Sequence, residues 1–231
     1  MTAPVRDAAT VVLLRDGPDG VEAWLLTRVA QMVFAAGMTV FPGGRVEDSD
    51  ADLPWAGPPP VGAAFVGAAV RETFEETGVL LGGGSVDLSA ARADVEGGRV
   101  GFGELLRSHG LTIDASGLRP WARWVTPEGE SRRYDTRFFV AALPDGAAPD
   151  HVTSEADRAG WVGVADALAE GERGERLLMP PTLMTLRSIA AHPTVADVLT
   201  AAPGRPLEPV RPVLDGDHVR LPDGTRMRLP R

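Results

Sequence analysis

Cysteine is absent from the 231 residues. That removes disulfides, thiolate metal sites and a cysteine nucleophile, and it fits a reducing compartment. Positive charge is scarce, with 23 Lys and Arg against 32 Asp and Glu and a net charge of −9. A nucleic-acid groove or an anionic membrane surface needs a basic face, so neither partner is expected. An anionic small molecule would have to be held by local cations or by metal, against the overall field. No apolar run reaches spanning length, and the first residues, MTAPVRD, lack the apolar core of a signal peptide. A cytoplasmic protein is the expectation. Histidine is rare too: His109, His192 and His218 show no metal-ligand spacing and read as structural or solvent-facing.

The length allows one large domain or two small ones, with enough core to be stable without staples. Ala8 to Arg15 and Val21 to Arg28 are β-branched and leucine-rich runs around a DGPDG turn cluster, a predicted hairpin. Met38 to Phe41 is a short strand delivering Pro42-Gly43-Gly44. Val61 to Thr77 carries helical spacing, with Ala64, Ala68 and Phe74 as packing residues. Val79-Leu80-Leu81 reads as a strand ended by three glycines. Ser85 to Gly110 reads as two short helices joined by Gly97-Gly98. Leu118 to Thr126 and Thr136 to Leu143 are predicted strands around a polar loop, residues 127–135. A strand at Trp161 to Val164 precedes helices from Val164 to Glu170, Thr182 to Ala191 and Pro193 to Thr200. The fold class is α+β. Trp24, Trp121, Trp124 and Trp161 alternate with apolar neighbours, as packing residues do. From Ala202 onward, prolines and two turn signals separate short strands. This C-terminal β appendage, 202–231, either packs on the domain 1–201 or reaches a partner subunit, so a homodimer is an open option.

One stretch concentrates chemistry. Arg71-Glu72-Thr73-Phe74-Glu75-Glu76-Thr77-Gly78-Val79 places three glutamates at i, i+3 and i+4. In a helix they share an arc of roughly 100°. Like charges at that spacing destabilise an isolated helix. Hard cations such as Mg²⁺, which prefer carboxylate oxygen, would offset the repulsion. Arg71, four residues before Glu75, can pin one carboxylate and leave the others to metal, and Gly78 is placed to end the helix.

With Gly43-Gly44 upstream, this stretch resembles the Nudix box, G-x5-E-x7-R-E-U-x-E-E-x-G-U, where U is bulky and apolar. Gly44, Arg71, Glu72, Glu75, Glu76, Gly78 and Val79 match it position by position. Asp50 replaces the first glutamate, Thr73 is smaller than the usual apolar residue, and twenty residues instead of seven separate Asp50 from Arg71. The extra residues include Pro54, Pro58, Pro59 and Pro60, which read as a surface loop, 51–60, inserted before the helix. The resemblance implies a Nudix fold, a mixed β-sheet sandwiched between α-helices. It implies hydrolysis of a phosphoanhydride with Mg²⁺ or Mn²⁺ held by Glu72, Glu75, Glu76 and the Gly43 carbonyl, with Arg71 orienting them. In this family the general base is a box glutamate or an acid on a distant loop; Glu155 stands where some members carry one, and His151 is a weaker candidate.

Within the superfamily the chain is most similar to the branch that includes coenzyme A and acyl-CoA diphosphatases, through LLTR at 25–28, FPGGRVE at 41–47, the insertion, and RYDTRFF at 133–139. Residues 29–40 (VAQMVFAAGMTV) lack the basic and histidine residues of the CoA-specific motif. Arg132 and Arg133 are candidates for the substrate's outer phosphates. Tyr134 or Phe138 could stack on a base, and Phe139 belongs to the core. The expected partner is a nucleotide-type small molecule. The alternatives are a pyrophosphatase acting on ADP-ribose, dinucleotides or nucleotide sugars, and a Nudix-fold binding module without catalysis.

Overall fold

A computed structural model describes residues 3–29, 37–84, 86–150 and 156–228. Strand β1 (Val5–Gly17) is the spine. Its C-terminal end forms the predicted hairpin with β2 (Gly20–Arg28), Leu14 to Gly17 facing Ala23 to Gly20. The two strands then part. β2 continues against β7 (Ala156–Gly163) and the two-residue β3 (Thr39–Val40). The freed edge of β1 pairs instead with β4 (Gly43–Arg45), while its other edge runs parallel to β6 (Arg133–Ala142) for ten residues. β5 (Arg119–Val125) closes that side, giving a seven-stranded mixed sheet.

Both faces of the sheet are covered, so β1 and β6 are buried on alternate residues of both kinds. Ala9, Val11 and Leu13 of β1 and Phe139 and Ala141 of β6 pack under helix α1 (Ala63–Thr77), against Val66, Ala69, Val70 and Phe74. Helices α2 (Ser89–Glu96) and α3 (Phe102–Ser108) extend this layer, Phe102 meeting Phe74 at 5.5 Å between ring centres. Val12, Leu14, Phe138 and Val140 face the other way. They pack against α4 (Val164–Glu172), α5 (Pro180–Ile189) and α6 (Val195–Ala201) through Ala167, Leu186, Ile189 and Val198. This is the expected helix–sheet–helix sandwich. Trp24, Trp121 and Trp124 are buried, Trp121 fully, and Phe139 is wholly in the core.

Several boundaries differ from expectation. Val79, Leu80 and Leu81 are not a strand: they are buried at 2 %, 6 % and 3 % exposure as irregular chain filling the core below the end of α1. A three-residue apolar run carries no period, and its only ladder-like bond is from Asp114 N–H to the Gly82 carbonyl (2.9 Å). The polar loop shortens because β6 begins at Arg133, where Val5 of β1 pairs with it. β7 begins at Ala156, five residues earlier than read, since β2 offers a full-length partner. The glycine turn is itself a strand, β4.

The insertion is not a free loop. A short 3-10 helix (Asp48–Asp52) lies against α1, Leu53 is buried, and Ala56 N–H and the Pro54 carbonyl bond to Ile113 on both sides (2.9 and 2.7 Å). The appendage forms a small sheet, β8 (Val213–Asp215), β9 (His218–Arg220) and β10 (Arg226–Arg228), preceded by Val210, which adds to the outer edge of β5 by two backbone bonds. Leu221 joins the second core, so the appendage packs on its own chain. Among the described residues no helix is long and apolar enough to cross a membrane.

The approach of the 3-10 helix to α1 depends on Gly67, where a Cβ would lie 1.9 Å from the Asp50 carbonyl oxygen. Glycine to alanine inside a helix ordinarily gains roughly 0.5–1 kcal/mol. Here overpacking reverses the sign, and Gly67→Ala is expected to destabilise by about 1–3 kcal/mol. A denaturant midpoint equal to or above that of the parent protein would show that the contact yields freely.

Candidate functional site

Helix α1 ends at Gly78, which is left-handed (φ 75°) and donates its N–H to the Phe74 carbonyl (2.8 Å). Buried Thr73, small for its place in the motif, bonds its hydroxyl to the Ala69 carbonyl (2.7 Å), and Thr77 does the same to Thr73 (2.6 Å). The helix therefore buries two hydroxyls without leaving either unpaired.

Arg71 sits at 6 % exposure, and every arm of its guanidinium is engaged. Nε and Nη2 grip both oxygens of Asp50 (2.8 and 3.0 Å), Nη2 also reaches the Arg45 carbonyl (2.9 Å), and Nη1 donates to Glu72 (2.9 Å). Glu75, the partner expected from spacing, is touched only at 3.4 Å. Asp50 wins because it offers a two-pronged carboxylate at 1 % exposure, already steadied by the Glu47 N–H (2.7 Å). Burial alone would lower the Arg71 pKa; the Asp50 bond and then the charges of Glu72, Asp50 and Glu75 outweigh it and raise it. This arginine is a permanent cation.

Two glycines let β4 lie against the acidic face. A Cβ on Gly44 would stand 2.2 Å from a Glu72 carboxylate oxygen, and one on Gly43 would strike the Ala9 carbonyl at 2.4 Å. Gly43 donates its N–H to Glu76 (2.8 Å), so the contact between turn and helix runs through the N–H. Glu76 is buried at 8 % exposure for that reason. Burial pushes the Glu72 carboxyl up to about 7, against the opposing pull of Arg71 and with the help of Glu75. Burial likewise raises Glu75, again against Arg71.

The three glutamates share one region, Glu72 and more loosely Glu75 turned to Arg71 and Glu76 to the Gly43 N–H. Among the described residues no three acidic or histidine side chains form a cluster tight enough to hold a metal ion. The chemistry of the set nonetheless fits a hard divalent cation. It is all oxygen, and one of its carboxyls is held far above its ordinary value by burial, which Arg71 only partly opposes.

The other candidates are dispersed. Glu155 and His151 lie outside the described residues. Arg132 is exposed, and Arg133 lies within β6 with Nε on the Thr126 carbonyl (3.3 Å). Phe138 is buried on the far face of the sheet, which removes it as a stacking platform, and Tyr134 is half-buried. His109 caps the end of α3 and His192 meets Trp121 edge-on, both structural. Sequence reasoning missed Arg92, whose Nε donates to the Glu75 carbonyl (2.8 Å) and whose Nη1 pairs with Asp150, while Asp150 N–H bonds the Thr77 carbonyl (3.0 Å). No spacing rule links a lone arginine on α2 to that helix end.

Residues 56–189 match the family model described as the NUDT19 Nudix domain, more than half of the chain. Putative nudix hydrolase 7 of Caenorhabditis elegans is 30% identical over 197 residues, 82% of this chain and 62% of that protein. The acyl-coenzyme A diphosphatase NUDT19 of Gallus gallus is 26% identical over 276 residues, 88% of this chain and 72% of that one. The chain thus spans about two thirds of the length of these relatives. Among solved structures, a NUDIX hydrolase from Alicyclobacillus acidocaldarius superposes with a TM-score of 0.76 at 30% identity, over 86% of this chain and 96% of that one.

The raised Glu72 has a measurable consequence. A carboxyl that binds its proton more tightly folded than unfolded gives stability that is full below its ordinary value near 4.5 and lost as pH rises through about 7. In EDTA, thermal stability is expected to fall between about pH 5 and about pH 8. Glu72→Gln should flatten that fall, and an unchanged slope in the variant would assign it to other groups.

Proposed function

The chain belongs to the Nudix family, and from that premise we propose that it is a metal-dependent diphosphatase acting on coenzyme A or acyl-CoA. The observation that carries the hydrolytic reading is the acidic face of α1 held against Gly43 and Gly44, with Arg71 locked to Asp50. Glu72, Glu75 and Glu76, with the Gly43 carbonyl, would hold Mg²⁺ or Mn²⁺. A divalent cation bound there supplies charge neutralisation on the phosphates and an acidified water. Arg71 holds Glu72 closely (2.9 Å) and Glu75 more loosely (3.4 Å). Glu155 is proposed as the general base, with a box glutamate as the alternative.

The CoA reading is supported by the relatives named acyl-coenzyme A diphosphatase and by the sequence of β6. CoA offers an internal diphosphate, a 3′-phosphate on the ribose and a pantetheine arm. On this reading Arg132 and Arg133 meet the outer phosphate, and cleavage gives 3′,5′-ADP and a 4′-phosphopantetheine product. A screen of CoA, acyl-CoA, dephospho-CoA, ADP-ribose and nucleotide sugars under matched Mg²⁺ tests it. CoA species should be cleaved fastest; faster cleavage of ADP-ribose or a nucleotide sugar removes the substrate assignment and leaves the hydrolase.

Two substitutions test the machinery. Glu76→Gln keeps an acceptor for the Gly43 N–H and should still fold, yet lower turnover by about two orders of magnitude or more. Mg²⁺ should raise the melting temperature of the parent protein by mass action. Equal hydrolysis in EDTA would exclude the metal. Glu155→Gln should lower kcat with KM little changed, because a base acts mainly in the transition state. Parental kcat in that variant would return the role to the box.

A further inference from the structure

Sheet register places one more cation beside the acidic face. Arg137 of β6 stands opposite Ala9 of β1, and Ala9 stands opposite Gly44 of β4. Residues in such a row project from the same face of a sheet. Three contacts identify the face as the one under α1. The Cβ direction of Gly44 meets Glu72, Ala9 packs in the core beneath the helix, and the Arg137 guanidinium lies 4.5 Å over the ring of Phe65 on α1.

Two independent lengths agree on the separation. Gly44 and Arg137 are two strand spacings apart, about 10 Å. Phe65 and Glu72 are seven residues apart on α1, about 10.5 Å along the axis and within roughly 20° of one meridian. The helix crosses the strands so that its Phe65 end covers Arg137 and its Glu72 end covers Gly44. Arg137 is thus on the order of 10 Å from the acidic cluster, on the same side of the sheet.

Its bonding differs from that of the ion-paired arginines around the site. Arg71 is engaged by Asp50, Arg92 by Asp150, and Arg123 by Asp135 through two bonds (2.8 and 2.6 Å). That last pair occupies the carboxylate nearest to Arg137 along β6. Arg137 is half-buried, its Nε is sealed from solvent without a hydrogen-bond partner, and Asp135, whose carboxyl feels its charge, is gripped by Arg123 instead. A buried cationic donor left unsatisfied is unfavourable and rare in folded proteins. Phe65 lies against the guanidinium plane, so the N–H edge that carries the unpartnered Nε is not spent on the ring, the arrangement suited to a phosphate.

We propose that Arg137, seated on Phe65, is a substrate-binding residue that takes a phosphate oxygen of the nucleotide positioned at Glu72. This rests on the diphosphatase reading above, and it extends the basic contacts beyond Arg132 and Arg133. The phosphate is either part of the diphosphate or the ribose monophosphate, and substrate choice separates the two.

The test uses Arg137→Met, which keeps the length and apolar contact with Phe65 but removes charge and donors, and Arg137→Lys, which keeps the charge. KM and kcat are measured for CoA, dephospho-CoA and ADP-ribose with Mg²⁺, and ADP and 3′,5′-ADP binding by calorimetry. Arg137→Met should raise KM roughly 10- to 100-fold, as loss of one charge-assisted contact implies, with Arg137→Lys in between and melting temperatures close to the parent. An equal rise for all three substrates assigns the diphosphate; a rise confined to CoA assigns the ribose monophosphate. Unchanged KM throughout overturns the proposal, as does a rise that lysine does not reduce and that tracks a lowered melting temperature in both variants. If the parent cleaves none of these compounds while Arg137→Met still loses affinity for either nucleotide, the diphosphatase reading fails and this one stands. If the parent is active and Arg137→Met is indistinguishable from it, this inference alone fails.

Discussion

The bidentate pair between Arg71 and Asp50 is the contact on which the site depends. Removing a guanidinium from water is costly, and a single exposed carboxylate would not offset it. Here two oxygens of a carboxylate at 1 % exposure, a backbone carbonyl and Glu72 together satisfy the donors. The pair ties α1 to the 3-10 helix that follows β4, and so fixes the glycine strand over the acidic face. It also explains how twenty residues can separate two positions that the family motif holds closer. The insertion enters after Asp50, docks on Ile113 and returns to α1, so Asp50 need not move. Gly67 provides the space for that docking.

Charge arithmetic gives the site its chemistry. Formally one buried cation, Arg71, stands among four carboxylates, Asp50, Glu72, Glu75 and Glu76. Burial makes the imbalance expensive, and Glu72 answers it by holding its proton up to about 7. A divalent cation would relieve the same imbalance without a proton. The formal excess of negative charge is thus large enough that a divalent ion would reduce it without reversing its sign.

Much of this was legible in the sequence where period and spacing carry information. The hairpin, the helix containing Glu72, Glu75 and Glu76, the glycine that ends it, and the α+β class all follow from local pattern, whereas the sandwich follows from the resemblance to the Nudix box. What was not legible lies in pairings between distant segments. Val79 to Leu81 looks like a strand by composition, but no free strand edge is there to receive it. The glycine turn becomes β4 only because β1 and β2 part company after four pairs and leave an edge open. Asp50 as the chief partner of Arg71 could not be read from a helix wheel, since spacing on one helix nominates Glu75. Arg132 and Arg133 were nominated by adjacency, whereas Arg137 emerges from a row across three strands.

Anion recognition by so acidic a chain then becomes a question of which positive charges are uncommitted. Arg71 and Arg123 are consumed by carboxylates within the fold, and Arg92 holds the end of α1. Such arginines shape the site through these contacts, and the Arg92 Nη2 left without a partner is sealed from solvent. With its structural arginines spent, the protein offers Arg137 as fixed positive charge on the α1 face of β6, while the field of the whole molecule opposes a nucleotide's approach. On the proposed reading, the acidic cluster would resolve this by recruiting positive charge from solution, with affinity that disappears when the metal does. In that arrangement the carboxylates that repel the substrate in the empty protein become, through the cation they gather, what retains it.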